Sequence, residues 1–448
     1  MPMFKKIGKK LYFVIILIII NINFVFMNVV GNSILPLKIK AVTYFGDEWP
    51  TTFWGREHLG DGERFERIKN DGFNTLIFCL PWREIQPDYY GDYNEVAIKK
   101  IDYIVDLAKE KGLNVMVRLG YTWDYYENES SNNRFRLMWR DESIKNAWYN
   151  YAGKMYEVLS VHDNFLGGFI TWEDFWDGLI YTYSNYETVD AELIKLLINT
   201  QKRFYNLSME CRMHVDIVGD RVYSHEKTFS CGDASYSSLL LTNSMDQEYY
   251  KTVSAKDNIR VSESVIDKFS ICNKPIFIDQ FLYTESTPGY EFLSKVDDLN
   301  TYLMGMGKVF NEKTIGYGLW TYQDYVDNVI YNSEFALGKT NWDFIGDSYI
   351  VCESNNNSAF LGKGAEIKQD ISWKGFLSKD NINFIMQVDA EEESDVQVSV
   401  FNQYKTYHLQ KGIQNVTLNF DSKDYKELCI KSNGRIKVDN IKLFSHPH

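Results

Sequence analysis

The 448-residue chain has no closely spaced cysteines: Cys79, Cys211, Cys231, Cys272, Cys352 and Cys429 are scattered singly. That spacing excludes a metal knuckle, and most of the six are expected to be buried thiols. Cys352 and Cys429 fall together in the last part of the chain, so a pairing between them stays open. A surplus of positive charge is also missing, with 48 Lys and Arg against 61 Asp and Glu and a net charge of -13. Nucleic acid is bound through a Lys and Arg excess, so a nucleic-acid partner is excluded. No second His stands at useful spacing from His214, and neither a metal nor another cofactor is expected. No low-complexity linker occurs, which leaves domain boundaries to be read from changes in periodicity.

What the chain has in abundance is aromatic surface: 31 Tyr, 28 Phe and 11 Trp make up 16% of the residues. That is more flat amphipathic area than a core alone requires. At the N-terminus Lys5, Lys6, Lys9 and Lys10 precede an apolar run from Leu11 to Val30, followed by small and polar residues from Gly31 to Ser33. Residues 1–33 read as a secretory signal or, because the run is about as long as a membrane span, as an uncleaved anchor with membrane or cell-surface association. Asn21, Asn23 and Asn28 interrupt the run and favour cleavage. Either way the expected location is extracellular or at the cell surface.

From about Lys38 a short β-rich apolar run ending in polar and aromatic residues repeatedly precedes a longer amphipathic helix. The strand candidates are KIKAVTYF, FNTLIFCL, LNVMVRLG, FLGGFITW, ECRMHVDI, YSSLLLTN, KPIFIDQF and IGYGLWTY. Helices between them include Asn94 to Lys111, with Ile98, Ile101, Val105 and Ala108 on one face, and a later one with Phe292, Val296, Leu299 and Leu303 aligned. Eight alternating units predict an α/β fold, a closed (β/α)8 TIM barrel over residues 34–330. The stretch from Asp220 to Asp233 carries no clear helix. From residue 331 to 448 the helical period disappears, and runs such as NINFIMQVDA, DVQVSVFNQY, NVTLNFDS, ELCIKS and IKVDNIKLF alternate apolar with polar positions. They predict an all-β, jelly-roll-like sandwich that packs against the barrel.

In such a barrel the reacting groups project from the C-terminal strand ends. Those ends hold Trp49, Trp54, Trp82, Trp123, Trp172, Trp176 and Trp320, seven of the 11 Trp, together with Arg118, Glu173, His214, Asp279 and Gln280. A cleft lined with indoles and carboxylates suits sugars, whose C–H faces stack on rings while their hydroxyls bond to acids and amides. Glu173, in TWEDFW, is hemmed by Trp172, Phe175 and Trp176; desolvation there raises a carboxyl pKa and keeps a proton available. The competing role for Glu173 is an ion pair with Arg118.

The barrel resembles the retaining glycoside hydrolases of the clan that includes cellulases, mannanases and related β-glycanases. LGGFITWEDFW is similar to that clan's strand-four motif, NTLIFCLPWREIQP to strand two and GYGLWTYQDYVDN to strand eight. The resemblance implies an acid/base at Glu173, a nucleophile at the end of strand seven, and a polysaccharide or oligosaccharide substrate. Two positions depart from it: Trp172 replaces an Asn before the acid/base, and a direct overlay puts Gln280 on the nucleophile. The segment NSEFALGKTNW is similar to the start of carbohydrate-binding sandwich modules. In the last domain the exposed candidates are Trp342, Trp373 and Tyr404, the alternative for each being sandwich core, which is the favoured expectation for Trp342.

On a regular strand Asp279 and Gln280 cannot both face the cleft, whereas a bulge changes the choice. Asp279 is the expected catalytic partner of Glu173, because a charge this deep in PIFID must face the cleft or a compensating group. Trp49, Trp82, Arg118, Trp123, Trp172, Trp176, His214, Gln280 and Trp320 are the expected substrate contacts. A secreted hydrolase of β-linked polysaccharide is the leading expectation, and a non-catalytic polysaccharide-binding protein on a degenerate hydrolase scaffold is the alternative.

Overall fold

The computed structural model describes residues 38–47, 53–54, 60–120, 134–171, 179, 182–183, 186–215, 232–243, 254–270, 274–281, 297–323, 328–353, 356–371, 381–400, 403–421 and 427–445, with the side chains of 186–187, 211–215 and 242–243 left aside. Eight strands follow the predicted order: β1 (Ile39–Thr43), β2 (Thr75–Leu80), β3 (Asn114–Leu119), β4 (Phe165–Ile170), β5 (Leu207–Val215), β6 (Ser237–Asn243), β7 (Ile276–Phe281) and β8 (Gly316–Leu319). They form a closed barrel in sequence order, and each successive pair from β1–β2 to β7–β8 is parallel.

Alternation along each strand separates two environments. On β3, Val115, Val117 and Leu119 join the buried layer beneath the helices, which by the two-residue period turns Met116 and Arg118 to the barrel interior. The helix Glu95–Glu110 buries Ile98, Ile101, Val105 and Ala108 as its period predicts. Its N-terminus is fixed by Asn94, whose Oδ1 accepts from Val96 N at 3.0 Å and Ala97 N at 3.2 Å. The later helix runs Leu299–Lys313 and buries Tyr302, Met306, Val309 and Phe310. The expected face was wrong here: the helix turns Tyr302, Met306, Val309 and Phe310 to the core, which leaves Leu299 and Leu303 exposed. Phe292 and Val296 lie outside the described residues, as does most of the stretch from Asp220 to Asp233.

Close strand approach is secured by a missing side chain on β4. A Cβ on Gly168 would stand 2.6 Å from the Val117 carbonyl oxygen of β3, a backbone atom that cannot swing aside. Gly168→Ala is therefore expected to destabilise the protein by about 1–3 kcal/mol, the usual cost of overpacking; a urea unfolding midpoint equal to wild type would refute this account of the barrel wall.

The C-terminal part comprises β9 (Asp343–Ile345), β10 (Ser348–Glu353), β11 (Asn356–Leu361), β12 (Glu366–Asp370), β13 (Ile382–Ala390), β14 (Ser394–Val400), β15 (Gln403–Leu409), β16 (Gly412–Phe420), β17 (Glu427–Ser432) and β18 (Ile436–Phe444). Two five-stranded sheets, β10-β11-β18-β13-β16 and β15-β14-β17-β12-β9, form the sandwich. On β13, Ile382, Phe384, Met386, Val388 and Ala390 face its core. The strands β9 to β12 are missing from the runs quoted from the sequence: β9 and β10 bury no clean alternating face, β11 buries only its last three residues, and β12 alternates over just five residues. Cys352 on β10 and Cys429 on β17 belong to different sheets and are free thiols.

The NSEFALGKTNW segment is a folded turn. Asn332 accepts from Leu337 N at 2.9 Å and donates to the carbonyls of Gly338 and Thr340 at 2.8 and 3.1 Å. Trp342 Nε1 donates to the Asn332 carbonyl at 3.2 Å, and its ring packs 5.3 Å from that of Phe335. Trp342 is thus a core residue, Tyr404 is 70% exposed, and Trp373 lies outside the described residues. Barrel and sandwich fall within one compact unit, Lys40–His448.

Candidate active site

A (β/α)8 barrel is normally filled by layers of four side chains from alternate strands, mostly Val, Ile and Leu. Here the inward alternation of β1, β3, β5 and β7 brings Thr43, Arg118, Glu210 and Asp279 toward the same level, and all four are buried. A charged layer replaces an apolar one. Arg118 Nη2 donates to Gln280 Oε1 at 2.5 Å and lies 3.4 Å from Glu210 Oε2. Its guanidinium also stands 5.2 Å from the Phe169 ring and 5.5 Å from the half-buried Trp320 ring.

The strand-seven question is answered by a local irregularity. Pairing of β6 with β7 shifts between Leu239↔Ile278 and Leu240↔Gln280, and pairing of β7 with β8 shifts between Ile278 and Phe281. The extra residue breaks alternation, so the expectation that Asp279 and Gln280 cannot both face inward holds only for a regular strand. Gln280 reaches Arg118, while Asp279 faces Glu210, Arg118 and Tyr236. A Cβ on Gly318 of β8 would sit 2.9 Å from the Asp279 carbonyl oxygen, so glycine there lets β8 close over the bulge.

Burial dominates the electrostatics of this layer. Desolvation pushes the Asp279 carboxyl well above the ordinary Asp range; the neighbouring Glu210 charge adds to the rise and Arg118 opposes it. Desolvation also raises the Glu210 carboxyl, with Arg118 and a hydrogen bond from Asp279 acting in the other direction. Tyr236 is pushed up by burial first and by the Asp279 charge second; its hydroxyl donates to the Gly168 carbonyl at 2.8 Å.

Arg118, Asp279, Gln280 and Trp320 are brought together as expected from their strand ends. Trp82 is not a cleft residue. It is fully buried, its ring 5.6 Å from Phe135, 5.5 Å from Trp148 and 5.8 Å from Tyr151, with the Arg134 guanidinium 4.9 Å away. The cause is the short helix Trp82–Ile85, which starts directly after Pro81 and turns the indole into the helix layer. Trp54 is also fully buried and donates to the Cys79 carbonyl at 2.8 Å. Trp49, Trp123, Trp172, Glu173 and Trp176 lie outside the described residues, as does the side chain of His214.

Glu210 was missed by the sequence reading. The signal was available in the sequence: stepping back from His214 by two residues at a time reaches position 212 and then Glu210, which share one strand parity. It was obscured because ECRMHVDI opens on Glu210 as if on a polar strand boundary, whereas β5 begins at Leu207.

The family described as Cellulase (glycosyl hydrolase family 5) matches residues 38–189. No curated relative matches the sequence. Among solved structures, the exo-β-1,4-mannosidase Op5Man5 from Opitutaceae bacterium strain TAV5 is 13% identical with a TM-score of 0.46, covering 65% of this chain and 53% of its own. This chain therefore spans about half the length of that enzyme. A GH5_18 protein from Bifidobacterium longum subsp. infantis is 14% identical with a TM-score of 0.44, covering 64% of this chain and 70% of its own. TmCBM61, solved with β-1,4-galactotriose, is 14% identical with a TM-score of 0.22, covering 27% of this chain and 99% of its own. The family match begins at β1 and runs past β4, so the first half of this closed eight-stranded parallel barrel resembles glycosyl hydrolase family 5.

Proposed function

We propose that the protein is an exported hydrolase of β-linked polysaccharide, in which Glu173 protonates the leaving oxygen and Asp279 is the second carboxylate. The observation that carries this reading is the charged layer of Arg118, Glu210 and Asp279 beneath Gln280 and Trp320, at the barrel end where catalytic groups are mounted. An apolar layer there would cost nothing in desolvation, so burying three ionisable groups has to be offset by a use. Trp320 offers a ring for a sugar face, and Gln280 offers an amide for its hydroxyls. Trp49, Trp123, Trp172, Trp176 and His214 belong to the same proposed cleft by their places at strand ends. The Lys-led apolar N-terminus supports export, and the exposed Tyr404 supports polymer contact by the sandwich.

The reading is tested by reducing-sugar release from glucans, mannans, xylans and bacterial exopolysaccharides, run beside pull-down on the same polymers. Release from at least one polymer is expected. Retention on a polymer without any release would overturn the hydrolase reading in favour of a binding protein on a degenerate scaffold.

A further inference from the structure

Two carboxyl groups in one buried layer cannot both be ionised cheaply beside one guanidinium, and among the described residues Arg118 is the cation set against this pair. Glu210 and Asp279 are both fully buried. Neither Asp279 oxygen, nor Glu210 Oε1, meets a hydrogen-bond donor among the described residues. Arg118 lies against Glu210 Oε2 and spends a second contact on Gln280. The Tyr236 hydroxyl is directed to the Gly168 carbonyl, and the hydroxyls of Ser208 and Ser238 bond to each other. Asp279 on β7 and Glu210 on β5, two strands apart in the closed barrel and both fully buried, are left facing one another across the interior, and the Glu210 carboxyl is the group that bears most directly on Asp279. Two carboxyl groups bond to each other only when one of them carries a proton, since an ionised carboxylate has no donor.

We propose that Glu210 and Asp279 share one proton, held on Asp279, and that Glu210 is a positioning residue that sets the pH at which the strand-seven carboxylate becomes available. Arg118 decides the side on which the proton rests, because its direct contact is with Glu210 and keeps that member ionised. Among the described residues, the pair with the proton in place carries one negative charge against the positive charge of Arg118. Ionisation of Asp279 releases that proton to solvent and leaves two negative charges against one. Asp279 is thus withheld as a carboxylate until the pH rises above the ordinary Asp range. Replacing Glu210 by an amide removes the like charge, supplies a donor in place of the proton, and leaves Arg118 to favour ionised Asp279.

This inference rests on the proposed catalytic use of Asp279, and its test separates the two. Infrared spectra of the full chain at pH 7 should show a buried protonated-carboxyl band that loses one group's intensity in Asp279→Asn, and loses it equally in Glu210→Gln. In the glycan release assays, Glu210→Gln should move the acid limb of the pH–rate profile downward by roughly 1–3 pH units, the range by which a neighbouring cation lowers an Asp pKa. A wild-type spectrum identical to that of Asp279→Asn overturns the shared proton, whatever the activity. If the band is lost as expected while Asp279→Asn keeps full release on the panel, the proton pair stands and the catalytic use of Asp279 falls, taking with it the role given to Glu210.

Discussion

Arg118→Met is expected to cost roughly 3–5 kcal/mol of stability at neutral pH, the usual penalty for removing one partner of a buried ion pair. The loss comes from what is left behind: Glu210, 3.4 Å from the missing guanidinium, keeps a buried charge without its counter-ion, and Gln280 loses a donor at 2.5 Å. The pH dependence identifies the mechanism. Both carboxyls have folded-state pKa values above their unfolded ones, so between those values the folded state binds more protons and stability falls as pH rises. Without Arg118 the folded values rise further, and the deficit against wild type should grow from about pH 4 upward and shrink below it. Urea unfolding at pH 4 and pH 7 measures this directly. An equal deficit at both values would mean that the methionine merely packs badly against Phe169 and Trp320, and the electrostatic account of the layer would be lost.

Glu173→Gln should lower glycan hydrolysis by roughly 10²–10⁴-fold, the usual worth of a positioned proton donor. Shape and hydrogen-bonding capacity are nearly preserved, and only the transferable proton is removed, so unfolding midpoint and polymer retention should match wild type. The expectation comes from the sequence TWEDFW, in which Trp172, Phe175 and Trp176 flanking Glu173 would desolvate a carboxyl and keep it protonated at working pH. Activity comparable to wild type on any hydrolysed polymer would remove Glu173 from the mechanism. A variant that loses activity and stability together would instead identify it as a structural ion-pair partner.

These outcomes also measure how far a single sequence carries. Fold class was legible because both of its periods are local: side chains repeat every two residues along a strand and every 3.6 along a helix, and burial of one face writes that repeat into the composition. The sandwich strands β13, β16, β17 and β18 were readable for the same reason, whereas β9 and β10 bury too little of either face to print a pattern. Trp82 misled, since a Trp just past a strand end looks like a cleft residue until the helix Trp82–Ile85 turns it into the core.

By itself the sequence determined eight β/α units, a sandwich after residue 331, and the strand ends at which Arg118, Asp279, Gln280 and Trp320 would stand. Only the tertiary structure decided that Arg118 would meet Glu210, 92 positions away, and Gln280, 162 positions away. It also decided that the irregularity at Asp279 and Gln280 would turn both toward the barrel interior. The physical reason is that register and closure are set by the fit of all eight strands at once, so a contact across the barrel has no local signature. A bulge is tolerated wherever its neighbours leave room, here beside Gly318, and that room belongs to the assembled barrel and to no segment of the chain.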